Sequence, residues 1–116
     1  MRYVQVINRT TGQTLAERAP VAEGLWSRFR GLQLRPNLPR GAGLVILPCE
    51  SIHMLFMLFP IDAIFATREG RVVRVGRALR PWTVGPFAPS ALYCVELPAG
   101  AAADTVEGHV IQLERV

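Results

Sequence analysis

The stretch that decides the fold is Ile52-His53-Met54-Leu55-Phe56-Met57-Leu58-Phe59-Pro60-Ile61-Asp62-Ala63-Ile64-Phe65-Ala66. It is too uniformly apolar for a strand with one face in water. It is also too short to cross a bilayer: about 15 residues, interrupted by His53, Pro60 and Asp62, against the roughly 20 predominantly apolar residues a span needs. A strand buried on both faces fits this composition. Pro60 cannot donate a ladder hydrogen bond, so a break is expected there, with the strand restarting beyond it.

The neighbouring segments also read as strands. Arg2 to Asn8 alternates, with Val4 and Val6 on one side and Tyr3, Gln5 and Ile7 on the other. Thr10-Thr11-Gly12 supplies a turn, and Gln13 to Arg18 completes a first hairpin. Gly43 to Pro48 is a short buried strand. After the central run, Thr67-Arg68-Glu69-Gly70 turns the chain and Arg71 to Leu79 pairs back. Ala91 to Leu97 and His109 to Arg115 are the last strands. Before them, Pro81 to Pro89 reads as a long ordered loop because of its three prolines and Gly85.

One segment has a different period. Leu25, Trp26, Phe29 and Leu32 fall at helical spacing, Pro20 suits a first helical turn, and Gly31 suits a C-terminal cap. One short amphipathic helix is expected over residues 20–32. Many short strands with Gly/Pro turns then imply a mainly β fold, a single-domain β-sandwich or jelly-roll-like barrel.

Composition bounds the rest. The chain has 116 residues, with 10 glycines and 9 prolines, a size that suits one domain over residues 1–116. All 13 basic residues are arginine, against 9 acidic residues, and the net charge is +4. Such a balance permits a polyanionic partner without demanding one. Arg68, Arg71, Arg74, Arg77 and Arg80 recur every third residue, which alternates faces on a strand and builds no single stripe. No aromatic residue interleaves them, so a nucleic-acid surface is disfavoured. There are two cysteines, Cys49 and Cys94, and the first residues alternate instead of forming an apolar signal core. A reduced cytoplasmic protein, with no membrane attachment, is the expectation.

The candidate chemistry sits in and near the central run. A carboxylate in an apolar strand is costly unless it is paired or hydrogen-bonded. Asp62 therefore has two open readings. It accepts backbone N–H groups where the strand restarts, or it projects with His53 into one polar pocket. The two residues are nine apart, so strict alternation places them on opposite faces unless a bend at Pro60 or a bulge intervenes. Glu96 is a second candidate, sharing a face with Leu92 and Cys94 in Leu92-Tyr93-Cys94-Val95-Glu96-Leu97. If it shares a pocket with Asp62, the two pKa values are driven apart. Cys49 and His53 have a Cys-x-x-x-His spacing, but zinc needs three or four ligands and no second spaced pair exists. No metal site or cofactor is predicted. A Cys49–His53 nucleophile fits the same spacing. Trp82, in the proline-rich loop, is a candidate apolar wall.

These residues carry a family resemblance. Cys49-Glu50-Ser51-Ile52-His53-Met54, then Met57, then Pro60-Ile61-Asp62 with Phe65, resembles the signature of domain-of-unknown-function family 192. Arg28-Phe29-Arg30-Gly31-Leu32, Gly43-Leu44, Arg71-Val72-Val73 and Val95-Glu96-Leu97-Pro98-Ala99-Gly100 resemble its other motifs in order. The resemblance implies a compact all-β fold of sandwich or jelly-roll type, found in bacteria and archaea, and no activity. It carries over His53, Met57, Asp62 and Glu96 as the distinctive site positions. Two positions depart from it: the usual threonine after the histidine is Met54, and the Gly-Asp near the end is Gly108-His109. A site that used that aspartate would be altered in this chain.

The leading expectation is a small ligand-binding or accessory domain, with a pocket formed by His53, Asp62, Glu96, Met57, Cys49 and Trp82. Its ligand would be a small polar molecule or a peptide, and its state a monomer or weak homodimer. The alternatives are a hydrolase using a carboxylate–histidine pair and, last, an arginine-mediated nucleic-acid binder.

Overall fold

The structure, a computed structural model, describes residues 2–24, 31–33 and 35–116. Among these it contains nine strands and no helix. They are β1 (Tyr3–Asn8), β2 (Thr14–Ala22), β3 (Leu44–Ile46), β4 (Ser51–His53), β5 (Ile61–Ala66), β6 (Val72–Leu79), β7 (Val84–Phe87), β8 (Tyr93–Pro98) and β9 (Ile111–Arg115). Seven form one sheet in the order β6-β5-β8-β3-β2-β1-β9, and β4 pairs with β7 in a separate two-stranded sheet.

The large sheet curls until its two edges meet at one end. Arg71 bridges Val110. The Val72 N–H donates to His109 O and the Ile111 N–H to Gly70 O, each at 2.8 Å. Gly70 is required at this junction. Its φ is +89°, and a Cβ there would lie 2.2 Å from Ile111 O.

Side-chain alternation sorts residues to the two faces of this sheet. Val4, Val6, Val21, Val45, Ile64, Val95, Leu97 and Ile111 fill the concave interior. Burying each such side chain contributes roughly 1.5–3 kcal/mol. The other face carries Leu44, Ile46 and Ile61, packed beneath Met54 and Met57, and Ala63, Phe65 and Cys94, packed beneath Ala88. All six residues of β5 are buried because β5 is covered on both sides. That double cover accounts for the uniformly apolar sequence of Ile61 to Ala66.

Three sequence expectations are corrected. Pro20–Ala22 are strand, not helix: Pro20 pairs with Tyr3 of β1, and Val21 and Ala22 pair with Val45 and Ile46 of β3. Partners on both sides satisfy the backbone there and outweigh the helix-start signal. Residues 25–30 of the predicted helix lie outside the described residues. The run before Pro60 is not a doubly buried strand. Only Ser51–His53 is strand, and Leu55, Phe56 and Leu58 are exposed. Finally, the proline-rich loop contains β7. Gly85 makes that possible, because a Cβ there would lie 2.5 Å from Ile52 O.

Candidate functional site

The two buried acids lie on the same strand pair and face opposite ways. In the β5–β8 ladder Asp62 stands opposite Leu97, and Ala63 stands opposite Glu96. Residues directly opposite each other share a face. Asp62 therefore points to the concave interior with Leu97, while Glu96 points outward with Ala63, Cys94 and Leu44.

Asp62 is 1 % exposed, and backbone donors satisfy it. Its Oδ1 accepts from the Ala78 N–H at 2.8 Å, and its Oδ2 from Gly100 and Ala102 N–H at 2.9 and 3.0 Å. The reason is local. The β5–β6 register slips between Ile61 and Ala63, and Ala78 there has a positive φ of 47°. Such a bulge leaves an N–H without a ladder partner, and Asp62 takes it. The turn after β8 supplies the other two donors. Asp62 thus ties β5 to a bulge and a turn, and it does not meet His53.

Glu96 has the opposite environment. It is 5 % exposed on β8, a central strand flanked by β5 and β3. Its Oε1 has no hydrogen-bond partner among the described residues. Burial, and secondarily the Cys49 thiol, push its pKa up to about 8. At neutral pH the carboxyl is therefore largely protonated, a neutral group able both to donate and to accept.

Glu96 faces a cavity of about 540 Å³, a size that suits a small molecule. Cys49, Ile52, His53, Met57 and Ile46 also line it. The segment from Pro48 to Met57 forms one wall, held by β4–β7 pairing and by the Cys49 N–H bond to Leu92 O at 2.8 Å. His53 is exposed at this wall, and its Nδ1 accepts from the Leu55 N–H at 3.3 Å. In the neutral ring that leaves Nε2 to carry the proton. No carboxylate hydrogen bond to His53 is present among the described residues, so the geometry predicted for a carboxylate–histidine hydrolase is not formed.

The structure thus brings Cys49, His53, Met57 and Glu96 together and leaves two predicted pocket residues out. Asp62 is on the far face of the sheet. Trp82 is 57 % exposed and packs edge-on against Phe56, ring centroids 5.1 Å apart, outside the cavity lining. Its φ of 66° turns the chain at this point. Cavity residues that sequence reasoning missed include Leu32, Ile46 and Ala91. They are ordinary apolar residues, and nothing in their local sequence marks them.

The two departures from the family pattern fall in packed positions. Met54 is fully buried among the apolar residues beneath the cavity wall. His109 lies away from the cavity, beside the buried Asn8. Asn8 Nδ2 donates to Thr105 Oγ1 at 2.9 Å and lies 3.2 Å from His109 Nδ1. The Val106 N–H also approaches that nitrogen, at 3.4 Å. His109 therefore stands as an acceptor among donors, the role an aspartate would take there. The substitution leaves the cavity untouched.

Comparison with known proteins agrees with this architecture. A protein of unknown function from Novosphingobium aromaticivorans superposes with a TM-score of 0.81 at 22 % identity, covering 95 % of this chain and 83 % of that one. A UPF0127 protein of Thermococcus sibiricus is 42 % identical over 100 residues, which are 82 % of this chain and 64 % of that protein's length. One from Thermococcus gammatolerans is 37 % identical over 113 residues, 91 % of this chain and 72 % of the relative. The model of a family described as Uncharacterized ACR matches residues 6–113, so the chain belongs to that family, domain-of-unknown-function family 192.

Proposed function

We propose that the domain binds a small, largely apolar molecule bearing a carbonyl or amide group in the cavity at Glu96. One observation carries this reading: Glu96 Oε1 is buried without a partner among the described residues, in a cavity large enough for a ligand. An unpaired buried polar group costs about 1–3 kcal/mol, which a ligand's hydrogen bond would recover. The neutral carboxyl would donate to a carbonyl or accept from an amide N–H. Met57, Ile52 and Ile46 would cover the apolar part, and His53 would offer Nε2–H at the wall. No net charge is needed on the ligand, because the carboxyl facing it is neutral at pH 7.

The test is protein-observed NMR titration with a set of small neutral amides and lactams. Binding to the wild type should shift the amide resonances of Cys49, His53 and Glu96, and Glu96→Leu should abolish it. No binding by any probe, or binding that Glu96→Leu leaves unchanged, would overturn the reading.

A further inference from the structure

The ligand reading uses Glu96 and leaves unexplained the two sulfur atoms beside it. Cys94 precedes Glu96 by two residues on β8, on the same outward face, and is fully buried. Cys49 is half-buried, lines the cavity, and packs against the cluster that contains Cys94. The Cys49 N–H bonds to Leu92 O at 2.8 Å, two residues before Cys94 in the chain, so the two thiols are neighbours. Cys49 Sγ in turn donates to Ser51 O at 3.1 Å. The chain's only two cysteines, far apart in sequence, are thus in side-chain contact, one at a cavity and the other sealed behind it.

We propose that Cys49 and Cys94 form a reversible dithiol–disulfide site, which exchanges with a low-molecular-weight disulfide entering through the cavity. The roles follow from access. Cys49, as the thiolate, attacks one sulfur of the small disulfide. The disulfide's S–S bond breaks, and one small thiolate leaves and takes a proton. Cys94 then loses its proton and attacks Cys49 Sγ in the mixed disulfide, expelling the second small thiolate. Two electrons pass from the protein thiols to the small disulfide, and the two thiol protons end on the two small thiols released. Cys94 cannot start the reaction. It is closed off from solvent, and burial, then the neighbouring Cys49 and Glu96 side chains, hold its pKa well above the usual thiol value. Attack across one thiol–thiol contact needs no entry of a reagent, so Cys94 suits the resolving role. Bond formation must draw the sulfurs to about 2.05 Å. Closing that distance falls to the side chains, because the Cys49 backbone is tied to Leu92 O.

The experiment treats the reduced full chain with oxidised glutathione and reads the intact mass. The wild type should lose the mass of two hydrogens and carry no adduct. Cys94→Ser should stop at one glutathione on Cys49, and Cys49→Ser should leave Cys94 unreacted. In the native wild type, iodoacetamide should label Cys49 alone before oxidation and neither cysteine after it, which keeps the test independent of whether the serine variants fold. A stable glutathione adduct on the wild type, or two thiols still reduced under glutathione oxidising enough to close a short dithiol peptide, would overturn the proposal. Neither result bears on the binding of neutral amides at Glu96, so the two readings fail separately.

Discussion

Asp62 and Glu96 are both buried acids, on adjacent strands and one register position apart, yet they do opposite things. Asp62 receives three backbone N–H donors from a bulge and a turn. Glu96 has an oxygen with no partner among the described residues and is kept protonated by burial. The difference is not burial, since both are almost fully covered. It is what the covering segment offers. The concave side near Asp62 ends in irregular backbone with spare donors. The outer side near Glu96 is roofed by apolar side chains and a cavity. A saturated buried acid belongs to the fold, and an unsaturated one marks a place for something else.

Removing Asp62 is the strongest way to break this comparison. Asp62→Ala strands the N–H groups of Ala78, Gly100 and Ala102 in a partly or fully buried site. Unfolding in urea should show a loss of about 4 kcal/mol, the sum expected for several hydrogen bonds to a charged group. Asp62→Asn should lose about half as much, because the amide keeps one acceptor oxygen but turns its NH2 toward a donor. A loss below about 1 kcal/mol for the alanine variant would show that the donors find other partners and that Asp62 is no anchor.

Glu96 should act with the opposite sign and less strongly. Its folded pKa is raised to about 8 from an ordinary 4.5. Below pH 4.5 the group is protonated in both states and adds no pH dependence. Between pH 4.5 and 8 only the unfolded chain ionises it, so the folded state becomes progressively less favoured, by about 1.4 kcal/mol per pH unit at most. Above pH 8 the contribution levels off. Stability should therefore fall from pH 5 to pH 8, and Glu96→Gln should flatten this slope and be the more stable protein at pH 8 by about 2–4 kcal/mol. Equal slopes in wild type and variant would mean that Glu96 is solvated, and the contrast with Asp62 would be lost.

The sequence made the contrast half visible. Hydrophobic alternation placed the first hairpin, the strand restart after Pro60 and the shared face of Cys94 and Glu96, because each depends on local period alone. The backbone-accepting reading of Asp62 was also available, but its donors at Ala78, Gly100 and Ala102 are set by a bulge and by tertiary register, which no local pattern encodes. Long-range pairing likewise hid β7: a stretch with three prolines and a glycine reads as loop until β4 is brought beside it. The contact between Cys49 and Cys94 arises because Cys49 follows β3, which pairs with β8, at a sequence separation where spacing rules say nothing. The cavity itself is the space between a strand pair and its cover, and it has no signature beyond the odd polar residue in an apolar run.

The smallest expected effect separates the third polar residue of this region from the other two. His53 is exposed, and its Nδ1 accepts the Leu55 N–H, a donor that can return to water. His53→Ala should leave stability within about 0.5 kcal/mol of wild type, as substitutions at exposed positions commonly do. The same variant should weaken neutral-amide binding in the NMR assay, because His53 lines the cavity and offers Nε2–H there. Asp62→Ala at a temperature where it remains folded should leave that binding in place. If His53→Ala instead unfolds the domain as Asp62→Ala does, the histidine holds the cavity wall in position, and the division between fold and site must move from the faces of β5 and β8 to the β4–β7 cover itself.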